Sequence, residues 1–600
     1  MSGRANIRWV KPPAFLVAIA GLVGVLGIGM TIVGSQTTGV STDEPGHVRR
    51  LNNYLESGLY VRIFEVHETP PGQIPVGAYV YGPVTSLVQH DVQRLLNTEP
   101  GYKAKTRAYH YEIRHAIIAG FALLGLLAAA GTAWLILGDW RWGVITAGIL
   151  SATPMWTGHA MFNMKDTPVA TGHTIITFAL VLLALLKPTS KHLWVIAGAA
   201  ALTVGAIMML GTRPGAWPSL MGSIIIFAAI VALARKSMTR AHLLRVSAAV
   251  VAALVASYLA LRAIYPRVFG DLAQTLYMSA FGSAHYEGLG THAPSGRSYL
   301  FVHSLIDLPL GLVTLMLTGT LAAAYMWLVQ RRRSVHLDCI ALVGSQAFAL
   351  TTAAVVFKSD LYHGLRQMLF AIPALALLAT IGLAVLLTLA GKREDVSPAV
   401  TGRLRLAVAV GGCVAMVLPT AVQAAMFPYQ YGYINVAAEQ LGVQADEDYF
   451  GTSFREYAHQ QPQDVKITCP FMRYGYVSWR ADPDCRTRFA HTFSAYWRGR
   501  AAPDHPKHGE FYTLLRGSRA IPPNCEPYRQ VERWRNLEKT VMSRMVKCHN
   551  PSRAEILEGV TRLNAAQLKN GLKLYWPKYL GDRPKTGPGS IASARAELAT

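Results

Sequence analysis

This chain of 600 residues is short of charge. Only 15% of its residues are Asp, Glu, Lys or Arg and 52% are hydrophobic, whereas a soluble domain carries about a quarter charged residues. The shortage is uneven: long apolar runs alternate with short basic clusters, and only the last third is polar. A single soluble domain is thereby excluded. The pattern is that of a polytopic α-helical membrane protein with a C-terminal extracytoplasmic α/β domain. Acidic residues are the scarcest, 34 against 57 basic ones, for a formal net charge of +23. Much of that excess lies in short loops between apolar runs, where the positive-inside rule puts it. Membrane lipid is a sufficient partner for it and no nucleic acid is required. Cysteine is sparse too. Six are present and no CxxC spacing supports zinc. Cys339 and Cys413 fall in apolar runs and read as inert. Cys469, Cys485, Cys525 and Cys548 fall in the polar region, an even number that fits two disulfides in an oxidising compartment, with three pairings open. No internal repeat is visible, which disfavours an inverted-repeat transporter. The first apolar run, Pro13 to Val33, has no clear small-residue cleavage site, so it reads as a retained helix with a cytoplasmic N-terminus.

Apolar runs long enough to span occur near 14–34, 115–137, 143–161, 167–186, 193–211, 216–234, 246–264, 299–329, 338–357, 364–390 and 404–425, eleven in all. Those around 143–186 are the least secure, being interrupted by Pro154, Asn163, Lys165 and Asp166. The basic loops KPTSKH (187–192), ARKSMTRAHLLR (234–245), RRRSVH (331–336) and GKREDVSPAVTGRLR (391–405) fall on the side of the basic N-terminus, hence the cytoplasm. Three regions follow: 1–427 as the transmembrane domain with a large outer loop at 35–113, 428–585 as an outer soluble domain, and 586–600 as a tail expected to be disordered. The plasma membrane of a bacterium is the expected location. NNYLESGLYVRIF and PVTSLVQHDVQRLL in the first loop are amphipathic enough to lie at the interface. EGLGTHAPSGRS (287–298) has the composition of a lid or of a plain linker.

The unusual chemistry gathers in the outer loops. Asp43-Glu44 stands about nine residues past the first helix, where a general base could meet both a lipid-linked substrate and a water-borne acceptor. Glu44 or His47 could orient that base or bind a cation or the acceptor. His159, Asn163, Lys165 and Asp166 cluster at the outer end of one run and the start of the next. Lys165 suits a phosphate oxygen; Asp166 could hold it, act as a second acid or cap the helix. Arg213 in GTRPGAW could fork onto a phosphate or snorkel to the interface. KSDLYHGLRQMLFAIP places Lys358, Asp360, Tyr362, His363 and Arg366 at the start of another run, with Arg366 one turn inside. Lone charges seldom face lipid there, so a phosphate or sugar contact is favoured over a pair with Asp360. A divalent cation could be shared by Asp43, Glu44 and Asp166, but no ligand spacing demands one.

These features resemble the GT-C superfamily of membrane glycosyltransferases, in particular its protein O-mannosyltransferase and aminoarabinose-transferase (family-39-like) branch. The resemblance rests on Asp43-Glu44, on Asp166-Thr167-Pro168, on LYHGLRQMLFAIPALALLA (361–379) and FPYQYGYINVAAEQLG (427–442), and on DYFGTSFREYA (448–458), covering about 1–460 in outline. It implies a polyprenyl-phosphate-sugar donor, an extracytoplasmic acceptor (protein, lipid or envelope glycan) and inversion at the anomeric carbon. Asp43, alone or with Glu44, would be the base and Asp166 the acid of the second loop. This chain departs from the pattern in having Ala-Ala-Glu-Gln after PYQYxYxN, where Gly-Gly is usual, and His363 where an acidic or amide residue is common. Specificity therefore does not carry over. The rival readings are a transporter or lipid flippase, which would need charge at the helix centres, and a non-catalytic scaffold, for which Asp43 would be dispensable. The Arg- and Tyr-rich C-terminal region fits an acidic glycan acceptor or an ordinary basic surface domain.

Overall fold

The computed structural model describes residues 9–98, 111–234, 239–282, 297–329, 334–356, 359, 361–391, 397–443, 447–460, 510–517, 521, 523–549, 552–569, 586–588 and 590–599. Ten helices among them are long and apolar enough to cross a membrane: Ala14–Thr37, Tyr111–Leu137, Asp166–Leu185, His192–Thr212, Pro214–Leu233, Arg240–Ile264, Leu310–Val329, Val335–Val356, Gly364–Ala390 and Pro398–Met426. The polytopic helical fold is therefore present, with one correction. The eleventh expected span, 143–161, is two short helices, Trp140–Ser151 and Pro154–Ala160. Pro154 has no N–H to continue the first helix, and it sits in the first turn of the second, where that donor is not needed. The expected run 299–329 is likewise divided, into Tyr299–Ile306 and the Leu310 helix, with Pro309 as N-cap of the second.

Two helices form the centre. Gly364–Ala390 is 89% buried over its most apolar window and Asp166–Leu185 78%, whereas Arg240–Ile264 is 22%. The apolar surface of an outer helix faces what would be lipid; a central helix must be packed by protein. Close approach is made by small residues. A Cβ on Gly172 would meet the Gly205 carbonyl, and one on Gly382 the Leu315 carbonyl. Packing of this kind is what draws helices together where no hydrophobic force does.

The C-terminal region carries a three-stranded antiparallel sheet ordered β1-β3-β2, from β1 (Glu510–Arg516), β2 (Cys525–Arg535) and β3 (Glu538–His549). Cys525 lies opposite Cys548 in the register. Cys469 and Cys485, the strand-like DVKITC and YGYVSW, and most of EGLGTHAPSGRS lie outside the described residues. AEILEGVTRLNAAQL falls within the helix Arg553–Lys569. The tail expected to be disordered contains instead the helix Ile591–Ala599, with Ala594 buried and Ser590 accepting from the Ser593 amide at 3.0 Å. Alanine content and this serine cap favour a helix there.

The sheet is joined to the helical domain by one aromatic core. Tyr429, Tyr431, Phe450 and Tyr457 pack with Met542 and Met545 of β3 and with Phe162 between the Pro154–Ala160 and Asp166–Leu185 helices. In the long loop after the first helix, Glu44–Ser57 ends at Gly58 (φ +74°), so NNYLESGLYVRIF is broken; PVTSLVQHDVQRLL is the helix Val84–Leu95.

Candidate active site

Four segments far apart in sequence meet at one end of the bundle. Asp43 precedes the helix Glu44–Ser57, and the amide of neighbouring Thr42 donates to the Phe450 carbonyl at 3.1 Å. Lys165 and Asp166 open the central helix. Asp166 is its first helical residue and not its cap. The capping is done by Asn163, whose Oδ1 accepts from the amides of Lys165 (3.3 Å) and Asp166 (3.0 Å). Arg213 stands in the break between two spans, before Pro214. Arg366 lies in a 3-10 stretch, Gly364–Ala371, entered through two left-handed residues, His363 (φ +55°) and Gly364 (φ +65°). Gly364 is required, because a Cβ there would collide with the Asp307 carboxylate. Asp307 in turn accepts the Leu365 amide at 2.9 Å, and Tyr299 Oη accepts the Gly364 amide at 2.9 Å. The left-handed turn that includes the non-glycine His363 is thus held by two partners, Asp307 and Tyr299, that set the approach of Arg366.

The charges form one chain. Asp43 Oδ2 is 2.7 Å from Lys165 Nζ and accepts from Arg366 Nη2 at 2.8 Å. Arg366 Nε points toward Asp166 Oδ2 at 3.6 Å, and Arg213 Nη2 is 3.4 Å from Asp166 Oδ1. Asn163 Nδ2 donates to Asp166 Oδ2 at 3.0 Å and lies 2.9 Å from His159 Nδ1, while His159 Nε2 lies 2.9 Å from Tyr449 Oη. Lys165 and Arg366 are 6% and 3% exposed, Asp43 33%, so the open side of the cluster is at Asp43. Three cations face two carboxylates. Nε of Arg213 and Nε of Arg366 are buried and make no hydrogen bond. Excess positive charge with unused donors in a place of low dielectric calls for an anion.

Burial pushes the Asp43 carboxyl up, but Lys165 and Arg366 beside it outweigh that and hold it well below the usual carboxylate range. Burial and Arg366 push the Lys165 ammonium down, and attraction to Asp43 together with the Tyr81 and Tyr362 hydroxyls outweighs them. Asp43 and Lys165 are therefore charged at neutral pH. His47 is depressed by burial and by Lys165 and Arg50, so it is neutral.

Of the residues singled out in the sequence, Asp43, Lys165, Asp166, Arg213 and Arg366 converge. His159 supports Asp166 through Asn163. His363 Nδ1 lies 3.3 Å from Arg366 Nη1, its ring stacks on Tyr449 at 4.7 Å, and the Tyr362 ring lies 5.4 Å from the guanidinium. His47 is one layer back, 3.0 Å from Tyr60 Oη and edge-on to Tyr81. Glu44 is not brought in. It is 1% exposed and turned away, accepting the Ser41 amide at 2.6 Å and lying 2.8 Å from His115 Nε2. Lys358 and Asp360 lie outside the described residues. Among the described residues no three metal-ligating side chains group together, and the positions beside Asp43 and Asp166 are filled by cations. The donor set does not fit a divalent ion.

Sequence reasoning missed Tyr81, Tyr449, Phe450 and Asp307. The Tyr81 ring has Arg50, Lys165 and Arg213 at 5.1, 5.7 and 5.6 Å. Burial pushes its hydroxyl up, but Lys165, Arg213 and Arg50 outweigh that and lower it. Phe450 lies 4.5 Å from the Arg366 guanidinium. DYFGTSFREYA, already part of the resemblance, was the available signal for Tyr449 and Phe450.

No family model and no curated protein matches this chain. Among solved structures, ArnT from Cupriavidus metallidurans bound to undecaprenyl phosphate is similar at 14% identity, over 89% of this chain and 98% of that one, with a TM-score of 0.44. The same protein in the apo state is similar at 12% identity, over 87% and 97%, with a TM-score of 0.40.

Proposed function

We propose that this protein is an inverting membrane glycosyltransferase that moves a sugar from a polyprenyl-phosphate donor to an extracytoplasmic acceptor, with Asp43 as general base. The observation that carries the reading is the unbalanced cluster: three cations around two carboxylates, with unused guanidinium donors, at the end of a bundle of apolar helices. A phosphodiester on a lipid chain has the charge for that cluster and the tail for that bundle. The acceptor hydroxyl oxygen attacks the anomeric carbon from the face opposite the phosphate. The new C–O bond forms as the carbon–phosphate-oxygen bond breaks, and the electron pair leaves with the polyprenyl phosphate. The acceptor proton passes to Asp43. Lys165, Arg213 and Arg366 stabilise the departing phosphate, and Asp166 orients the two guanidiniums.

A carboxylate locked between Lys165 and Arg366 is a weak base. Donor phosphate competing for those cations weakens their hold on Asp43 and raises its proton affinity, so the base is activated when the donor is in place. The basic loops at the other end of the bundle support a cytoplasmic N-terminus and an outward-facing site in a bacterial plasma membrane. The test of the main reading is transfer of radiolabelled sugar from polyprenyl-phosphate donors by purified protein, with membrane extract as acceptor source. Wild type transfers and a folded Asp43→Asn does not; equal behaviour of the two overturns the assignment of the base.

A further inference from the structure

We propose that Asp448 is a positioning residue of this site, acting from the C-terminal side through Phe450 on Arg366 and on the Asp43 loop. The proposal rests on the reading of the cluster as an anion site only for its second readout.

Asp448 is fully buried. Its Oδ1 accepts the Thr452 amide at 2.9 Å and the Tyr431 hydroxyl; its Oδ2 accepts the Ser453 amide at 3.0 Å and the Ser453 hydroxyl. One carboxylate therefore closes the turn 448–453. The two residues it places are the ones that enter the site. Tyr449 reaches His159 at 2.9 Å and stacks on His363; the Phe450 ring lies against Arg366 at 4.5 Å. The Phe450 carbonyl takes the Thr42 amide, one residue before Asp43. The next turn closes the clasp: Arg455 Nη1 donates to the carbonyls of Gln36 (2.6 Å) and Thr38 (2.9 Å), and a Cβ on Gly39 would strike the Thr452 carbonyl. From behind, Ser453 Oγ meets Ser543 Oγ of β3 at 2.6 Å, and Tyr457 Oη donates to the Ser543 carbonyl at 2.8 Å. The sheet thus backs a turn whose front face sets the site's cation and the approach of its base. A carboxylate used only to hold the sheet would leave Thr42 and Arg366 untouched.

The test compares wild type, Asp448→Asn, Asp448→Ala and Phe450→Leu as full-length protein in detergent. The first readout is hydrogen exchange of the peptide that contains Thr42. The Asp448 variants should accelerate Thr42 exchange tenfold or more while β2 and β3 keep their protection. Acceleration confined to 448–457 overturns the proposal, whatever the protein binds. The second readout is affinity for farnesyl phosphate. Asp448→Ala and Phe450→Leu should each weaken it about tenfold, and the double variant should be no weaker than the singles. Additive losses overturn the route through Phe450. If wild type binds no farnesyl phosphate, the anion reading fails and the exchange result still decides the positioning. If Asp448→Ala does not fold, Asp448→Asn and Ser453→Ala carry the same comparison.

Discussion

Two charged clusters of similar burial lie within one molecule and differ in one respect. Where the sheet meets the helical domain, Arg535 Nε donates to Glu439 Oε1 at 3.1 Å with Glu447 at 4.0 Å, and Arg533 pairs with Glu456 and donates to the Phe427 carbonyl at 2.9 Å. Each of these guanidiniums has its own carboxylate, and Arg535 spends a further donor on the Gly432 carbonyl. At the proposed active site the cations outnumber the carboxylates, and two Nε donors have no hydrogen bond. Cations that each have a carboxylate mark a clasp, and a surplus of buried cations with unused donors reads as a place for an anion, since buried surplus positive charge is tolerated only where something else neutralises it.

The difference can be broken from either side. The largest effect is expected at Asp43: Asn should lower transfer by roughly 10²–10⁴-fold, the usual worth of a general base, in protein that still folds but unfolds earlier, since Lys165 and Arg366 lose their shared carboxylate. Next is Arg535→Ala, which leaves Glu439 buried without its cation, with only Asn536 donating to it, and should cost about 3–5 kcal/mol in detergent unfolding, whereas the apolar pair Arg535→Met with Glu439→Leu should be near neutral. Arg366→Ala should weaken farnesyl phosphate binding about 10–100-fold, the value of one or two charge-assisted hydrogen bonds, and calorimetry reads that directly. Glu44→Gln sharpens the contrast between neighbours. It should cost about 1–3 kcal/mol through its buried contacts and leave sugar transfer by the folded enzyme near wild type.

The smallest effect is in pH. Asp43 is depressed, so the stability it contributes is present above its unfolded value near 3.9 and is lost only as pH falls through the lower folded value; from about pH 5 to 8 farnesyl phosphate binding should follow only the ligand's own second ionisation near pH 6, with no step from Asp43. Lys165 is raised, so its contribution lasts up to its unfolded value near 10.4 and is lost only above that. Tyr81 is lowered, so it ionises before about pH 10 and its phenolate then competes for Lys165 and Arg213. Affinity should fall a few-fold as pH rises toward that point, and Tyr81→Phe should abolish the fall.

Much of the charged cluster was legible. Lys165, Asp166, Arg213 and Arg366 stood out because an ionisable side chain at the end of an apolar run is costly and needs a reason. Glu44 misled because adjacency in sequence is not adjacency in space: Asp43 lies before the helix and Glu44 in its first turn, and their carboxylates point to different partners. Asp307 and Tyr81 left no trace, since an aromatic or an acid in a polar loop has no period and no cost that sets it apart, and Tyr449 and Phe450 showed only as part of DYFGTSFREYA, with nothing to say that they face the cluster. The break at Pro154 was written in the sequence, yet its consequence for the span was not.

By itself the sequence determined that the chain is a bundle of membrane-length helices and which charges need a purpose, because hydropathy and the cost of burying charge act residue by residue. The tertiary structure alone decided that Arg366 should bridge Asp43 and Asp166, that Glu44 should face His115, and that a turn beside the C-terminal sheet should carry Phe450 to the site. Those are contacts between residues far apart in sequence, 323 positions for Arg366 and Asp43, set by how the helices and loops pack, and no local pattern encodes them.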